Sequence, residues 1–74
     1  MADRFTFFYQ GSDFSGGGTK STAADAWAAA RDRVAKKFKD GKTGEVEIDV
    51  NGQKITVTTR TLQHEVGQQI RNAK

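Results

Sequence analysis

The stretch STAADAWAAARDRVAKKFK, residues 21 to 39, is the one segment with a long helical repeat, a start signal and a large aromatic anchor. Thr22 followed three residues later by Asp25 resembles a capping box, in which side chains satisfy backbone donors that a helix start leaves free. Ala23, Trp27, Ala30, Val34 and Phe38 then recur at spacings of three and four and share one helical face. Such a stripe needs an apolar surface to cover. The alanines at 24, 28, 29 and 35 favour helix and permit close approach to that surface. Gly41 is the expected stop, and Lys36, Lys37 and Lys39 complement the negative end of the helix dipole.

What the helix covers is read from the segments on either side. Downstream, Glu45 to Val50 alternates polar and apolar residues, Asn51-Gly52 intervenes, and Lys54 to Thr58 alternates again. Asn-Gly tolerates the two positive φ angles of a type I′ turn, so this is a two-residue hairpin, and the loop length sets its register. Val50 then faces Gln53, Ile48 faces Ile55 and Val46 faces Val57 on one side. On the other, Asp49 faces Lys54 and Glu47 faces Thr56. Apolar meets apolar and acid meets base, so register and burial agree.

Upstream, Arg4 to Tyr9 is dense in aromatics and free of glycine, which predicts a strand with Phe5, Phe7 and Tyr9 in the core and Thr6 and Phe8 outside. Residues 10–20 hold four of the eight glycines, show no apolar period, and are read as a flexible loop. Phe14 is its one apolar side chain, expected to tether the loop to the body. From Thr61 to Lys74, Leu62, Val66, Ile70 and Ala73 line one side of a short second helix, weakened at Gly67 by about 1 kcal/mol relative to alanine.

The expected architecture is thus α+β, in the order βαββα, one domain over residues 1–74. A three-stranded sheet carries both helices on the face of Phe5, Phe7, Tyr9, Val46, Ile48, Ile55 and Val57. With the hairpin strands adjacent, a first strand in a three-stranded sheet lies at an edge. An aromatic edge without charge is an association liability unless covered.

Composition narrows the function classes. A chain of 74 residues buries about 60% of its unfolded surface and has little room for a deep pocket. There is no Cys, which excludes disulfides and thiolate metal sites, and a single His excludes a multi-histidine site within one chain. No run of 18 apolar residues exists, and Met1 to Arg4 lacks the basic lead of a secretory signal, so a cytoplasmic protein without membrane association is expected. The net charge is +3, modest for a dedicated nucleic-acid binder. Its distribution is uneven: residues 31–42 carry a local balance of +4, and residues 45–49 hold Glu45, Glu47 and Asp49 with no base.

Candidate chemistry is sparse. Gly16 to Thr22 lies between a strand and a helix, where a phosphate loop would be, but Thr19 separates Gly18 from Lys20 and breaks the Gly-Lys-Ser/Thr motif. His64, beside Glu65, reads as a solvated helix-surface residue rather than a catalytic one. The row Glu45, Glu47 and Asp49 lacks the converging loop oxygens of a cation site and reads as a solvated sheet face. No enzyme activity, cofactor, metal or small-molecule substrate is expected.

Two binding surfaces remain. Arg4, Thr6 and Phe8 on the first strand suit association with a partner protein or a second copy by strand addition, the behaviour of a small inhibitor or adaptor module. Lys20, Arg33, Lys36, Lys37, Lys39 and Lys42 form the alternative, a sequence-independent phosphate-binding cluster on the helical side.

Overall fold

A computed structural model describes residues 4–73. The glycine-rich stretch expected to be a loop is a strand, and the element order is ββαββα: β1 (Phe5–Gln10), β2 (Ser15–Lys20), α1 (Ala23–Lys39), β3 (Val46–Val50), β4 (Gln53–Val57) and α2 (Leu62–Ala73). The α+β class holds, but the sheet has four strands rather than three, in the antiparallel order β2-β1-β3-β4. The first strand is therefore interior. It does neighbour one hairpin strand, β3, but its second flank is taken by β2.

A run of glycines makes a strand here because its neighbour supplies the side chains. In the β1–β2 register Tyr9 faces Gly16, Phe8 faces Gly17 and Phe7 faces Gly18. A Cβ built on Gly18 would meet the Phe7 ring at 2.9 Å, and one on Gly16 would meet the Tyr9 ring and hydroxyl. The two rings thus lie across the side-chain-free strand and shield it, as aromatic residues do for glycines in sheets. Residues 11–14 turn the chain, with Gly11 N–H donating to the Phe14 carbonyl at 2.8 Å. Phe14 is half-buried and packs a tilted ring 6.3 Å from that of Tyr9, the tethering role expected of it.

The α1 ends match their local signals. Thr22 caps the start, its Oγ1 accepting from Asp25 N–H at 3.0 Å. At the other end Gly41 takes φ +100°, Gly41 N–H donates to Phe38 and Lys42 N–H donates to Lys37, the paired bonds of a Schellman stop. The β3–β4 register is the one read from the hairpin, with Asn51 at φ 49° and Gly52 at φ 94°. Asp49 Oδ1 accepts from Gly52 N–H at 2.9 Å and braces the turn.

Both helices pack on one sheet face. Phe7, Tyr9, Val46, Ile48, Val50 and Val57 from the sheet meet Ala26, Trp27, Ala30 and Val34 of α1 and Leu62 and Val66 of α2. Phe5, Phe38, Ile55 and Ile70 close the margins of this core. α1 lies over β1, β2 and β3, whereas α2 leans on α1 and β4. No helix among the described residues is long and apolar enough to cross a membrane.

Candidate protein-binding face

Side chains alternate across a sheet, so the register assigns the helix-free face to Ser15, Gly17 and Thr19 of β2, Thr6, Phe8 and Gln10 of β1, Glu47 and Asp49 of β3, and Lys54 and Thr56 of β4. Phe8 stands near its centre. It is 58% exposed and is the one large exposed hydrophobic side chain among the described residues. On one flank lies the glycine strand, whose lack of side chains leaves an open depression of about 760 Å³ bordered by Thr6, Gln10, Ser15 and Thr19. On the other is a smaller hollow of about 180 Å³ bordered by Glu47, Asp49 and Lys54. Phe8 leans toward the first: a Cβ on Gly17 would lie 3.0 Å from the edge of its ring.

The three residues expected to bind a partner divide here. Phe8 is presented as read, and Arg4 is exposed just before β1. Thr6 is not free for strand addition, because Asn51 engages both its main-chain groups: Thr6 N–H donates to Asn51 Oδ1 at 2.9 Å and the Thr6 carbonyl accepts from Asn51 N–H at 3.1 Å. Strand addition beside β1 is ruled out by β2 and β3, and the unpaired strand edges of the sheet belong to β2 and β4. That Gly16 to Gly18 would mirror Phe7 to Tyr9 was the feature missed. Its signal was present, since the three aromatics and the three glycines stand equidistant from the centre of the intervening turn.

The basic residues are scattered and partly engaged. The Arg33 guanidinium lies 5.6 Å from the centroid of the Phe7 ring, within cation–π range. Lys42 Nζ contacts Asp13 Oδ2 at 2.8 Å, tying the α1–β3 connection to the β1–β2 turn. Lys36 and Lys39 are exposed, but Asp32 and Asp40 border the same shallow groove. Lys37 is half-buried. Lys20 ends β2 beside the start of α1, about 20–24 Å along the helix from the lysines of its last turn. The fold does not bring these six into one patch.

His64 is exposed on α2 with Glu65 half-buried next to it. Among the described residues no group of three or more His, Asp or Glu side chains is placed to hold a metal ion, and no side-chain polar atom is buried without a hydrogen-bond partner. Comparison with known proteins found no matching family model, no matching curated protein and no matching solved structure.

Proposed function

We propose that this chain is a small non-catalytic protein-binding module, of inhibitor or adaptor type, that engages its partner through the helix-free sheet face centred on Phe8. The observation that carries the reading is Phe8 itself. Among the described residues folding buries every other large apolar side chain in whole or in part, and an aromatic ring presented on a rigid strand suits the role of an interface anchor. The surrounding residues supply a polar rim, neutral over β2 and mostly acidic over β3.

This acidic side disfavours nucleic acid on the same face, and Arg33 and Lys42 are already engaged on the helical side. The test compares partner capture from the native host by the wild type, Phe8→Asp, and the charge reversal Lys36→Glu with Lys39→Glu. Phe8→Asp is expected to lose the captured protein by tenfold or more while still folding by circular dichroism, its melting temperature lowered because the new carboxylate faces Asp49 across the β1–β3 pair, and the charge reversal is expected to retain it. Equal capture by Phe8→Asp would refute the reading. Steeply salt-dependent DNA or RNA binding that the charge reversal abolishes would put the phosphate-binding alternative in its place.

A further inference from the structure

The helix-free face alone is too small for a stable complex. Four strands at about 4.8 Å spacing and five or six residues long present a flat area of roughly 20 by 18 Å. That falls well below the ~800 Å² per partner typical of specific interfaces. A partner anchored on Phe8 must therefore reach past the sheet, and the nearer unpaired edge is β2.

The hydrogen-bond parity of the sheet says which main-chain groups that edge offers. Thr6 turns its N–H and carbonyl toward Asn51, on the β3 side. Alternation then turns those of Phe5, Phe7 and Tyr9 toward β2, where they meet Lys20, Gly18 and Gly16. The N–H and carbonyl groups of Ser15, Gly17 and Thr19 consequently point outward. None of the three carries a charge, and no proline interrupts them. The opposite edge differs: on β4 the same parity turns out only Lys54 and Thr56, and a mid-strand lysine is a common guard against edge pairing.

We propose that the β2 edge joins a second copy of the chain, antiparallel and about a two-fold axis at Gly17, so that two four-stranded sheets become one. This rests on the reading of Phe8 as a protein-binding contact and names a partner for it, a second copy that lies beside the helix-free face and meets Phe8 at the joint. The strand is self-complementary in this register. Gly17 faces Gly17 of the other copy, and Ser15 faces Thr19 of the other copy on both sides of the axis. All three outward residues are then used, for about six hydrogen bonds. Shifting the axis to Gly16 or Gly18 leaves one outward residue of each copy without a partner inside the strand.

Two side-chain consequences favour the same arrangement. The hydroxyls of Ser15 and Thr19 stand side by side on the outer face, a favourable cross-strand pair. Phe8 and its counterpart lie about 14 Å apart, three strand spacings, with only the two Gly17 residues between them. Each ring already leans toward Gly17, so the rings close over the joint and bury the exposed hydrophobic. The two Lys20 residues sit at opposite ends, about 20 Å apart, and do not oppose one another.

Light scattering of the intact chain tests this. The wild type is expected at twice the monomer mass, and Thr19→Pro at the monomer mass with an unchanged far-ultraviolet circular dichroism spectrum, because the lost N–H points away from β1. A second measurement does not depend on how that variant folds. The chain has no cysteine, so Ser15→Cys together with Thr19→Cys is expected to give a covalent dimer on mild oxidation. Either cysteine alone is expected not to, its copy being about 14 Å away across the axis. A monomeric wild type at the highest soluble concentration, a Thr19→Pro dimer, or single cysteines that cross-link as well as the pair would overturn the proposal. If the wild type is monomeric and Phe8→Asp still abolishes partner capture, the copy-to-copy joint falls and the binding face stands. If the dimer forms as described and Phe8→Asp alters neither it nor capture, the reading of Phe8 falls and the joint stands.

Discussion

Gly17→Ala separates a packed strand from a flexible loop by the sign of its effect. In a loop free to adjust, alanine reduces the freedom of the unfolded chain and stabilises by about 0.4–1 kcal/mol. In β2 the new methyl would lie 2.5 Å from the Phe7 carbonyl oxygen and 3.0 Å from the Phe8 ring. The ring can rotate away. The carbonyl cannot, since Phe7 is fully buried and its backbone is paired with Gly18. Relief needs nearly 1 Å of movement between two paired strands, and overpacking of that kind costs about 1–3 kcal/mol. Against the unfolded-state gain the net loss is about 1–2 kcal/mol, a fall in melting temperature of about 4–16 °C for a domain of this size. Thermal and guanidinium unfolding, followed by circular dichroism and by fluorescence of the buried Trp27, measure it. Gly67→Ala is the internal control: a Cβ there meets nothing within 4 Å in the middle of α2, and the same substitution is expected to stabilise by about 1 kcal/mol. If both variants stabilise, β2 is not packed against β1 as described and the four-stranded sheet is wrong.

Asn51 holds a left-handed turn position and also binds Thr6. Asn51→Gly keeps the turn and removes only the side-chain acceptor, an expected loss of about 1 kcal/mol, whereas Asn51→Ala adds a similar cost for positive φ and is expected to lose about 2 kcal/mol. Chemical denaturation of both checks this, and equal losses would show that the turn geometry contributes nothing. Arg33→Ala is expected to destabilise by about 0.5–1 kcal/mol through the uncapped Phe7 ring, largely independent of salt, while Lys36→Ala at an exposed position is expected to lie within 0.5 kcal/mol of wild type. Equal effects in parallel melts would remove the structural role assigned to Arg33.

How far a sequence discloses such a fold depends on whether side chains carry the information. The β3–β4 register was legible because alternation and a two-residue turn specify it twice over, and α1 because its caps and its Trp27 stripe agree. β2 was not, since periodicity is read from side chains and Gly16, Gly17 and Gly18 have none. Its strand character resides in the partners Phe7, Phe8 and Tyr9, in the pairing rather than in the segment. A three-stranded count forces the first strand to an edge, so Arg4 and Thr6 acquired a binding role that β2 and Asn51 take from the strand. Phe8 survived because its outward direction follows from alternation within β1 alone, whichever strands lie beside it. The engagement of two members of the basic set was hidden for the converse reason: Asp13 reaches Lys42 from 29 positions earlier and the Arg33 guanidinium lies by the Phe7 ring, contacts between elements that no local pattern encodes. Features that one element determines by itself were readable, and those requiring two elements to meet were readable only where a short turn joined them. On that rule the β1–β2 hairpin, with its four-residue turn, should have been within reach. Outward from the turn, aromatic stands against glycine at each step: Tyr9 against Gly16, Phe8 against Gly17 and Phe7 against Gly18.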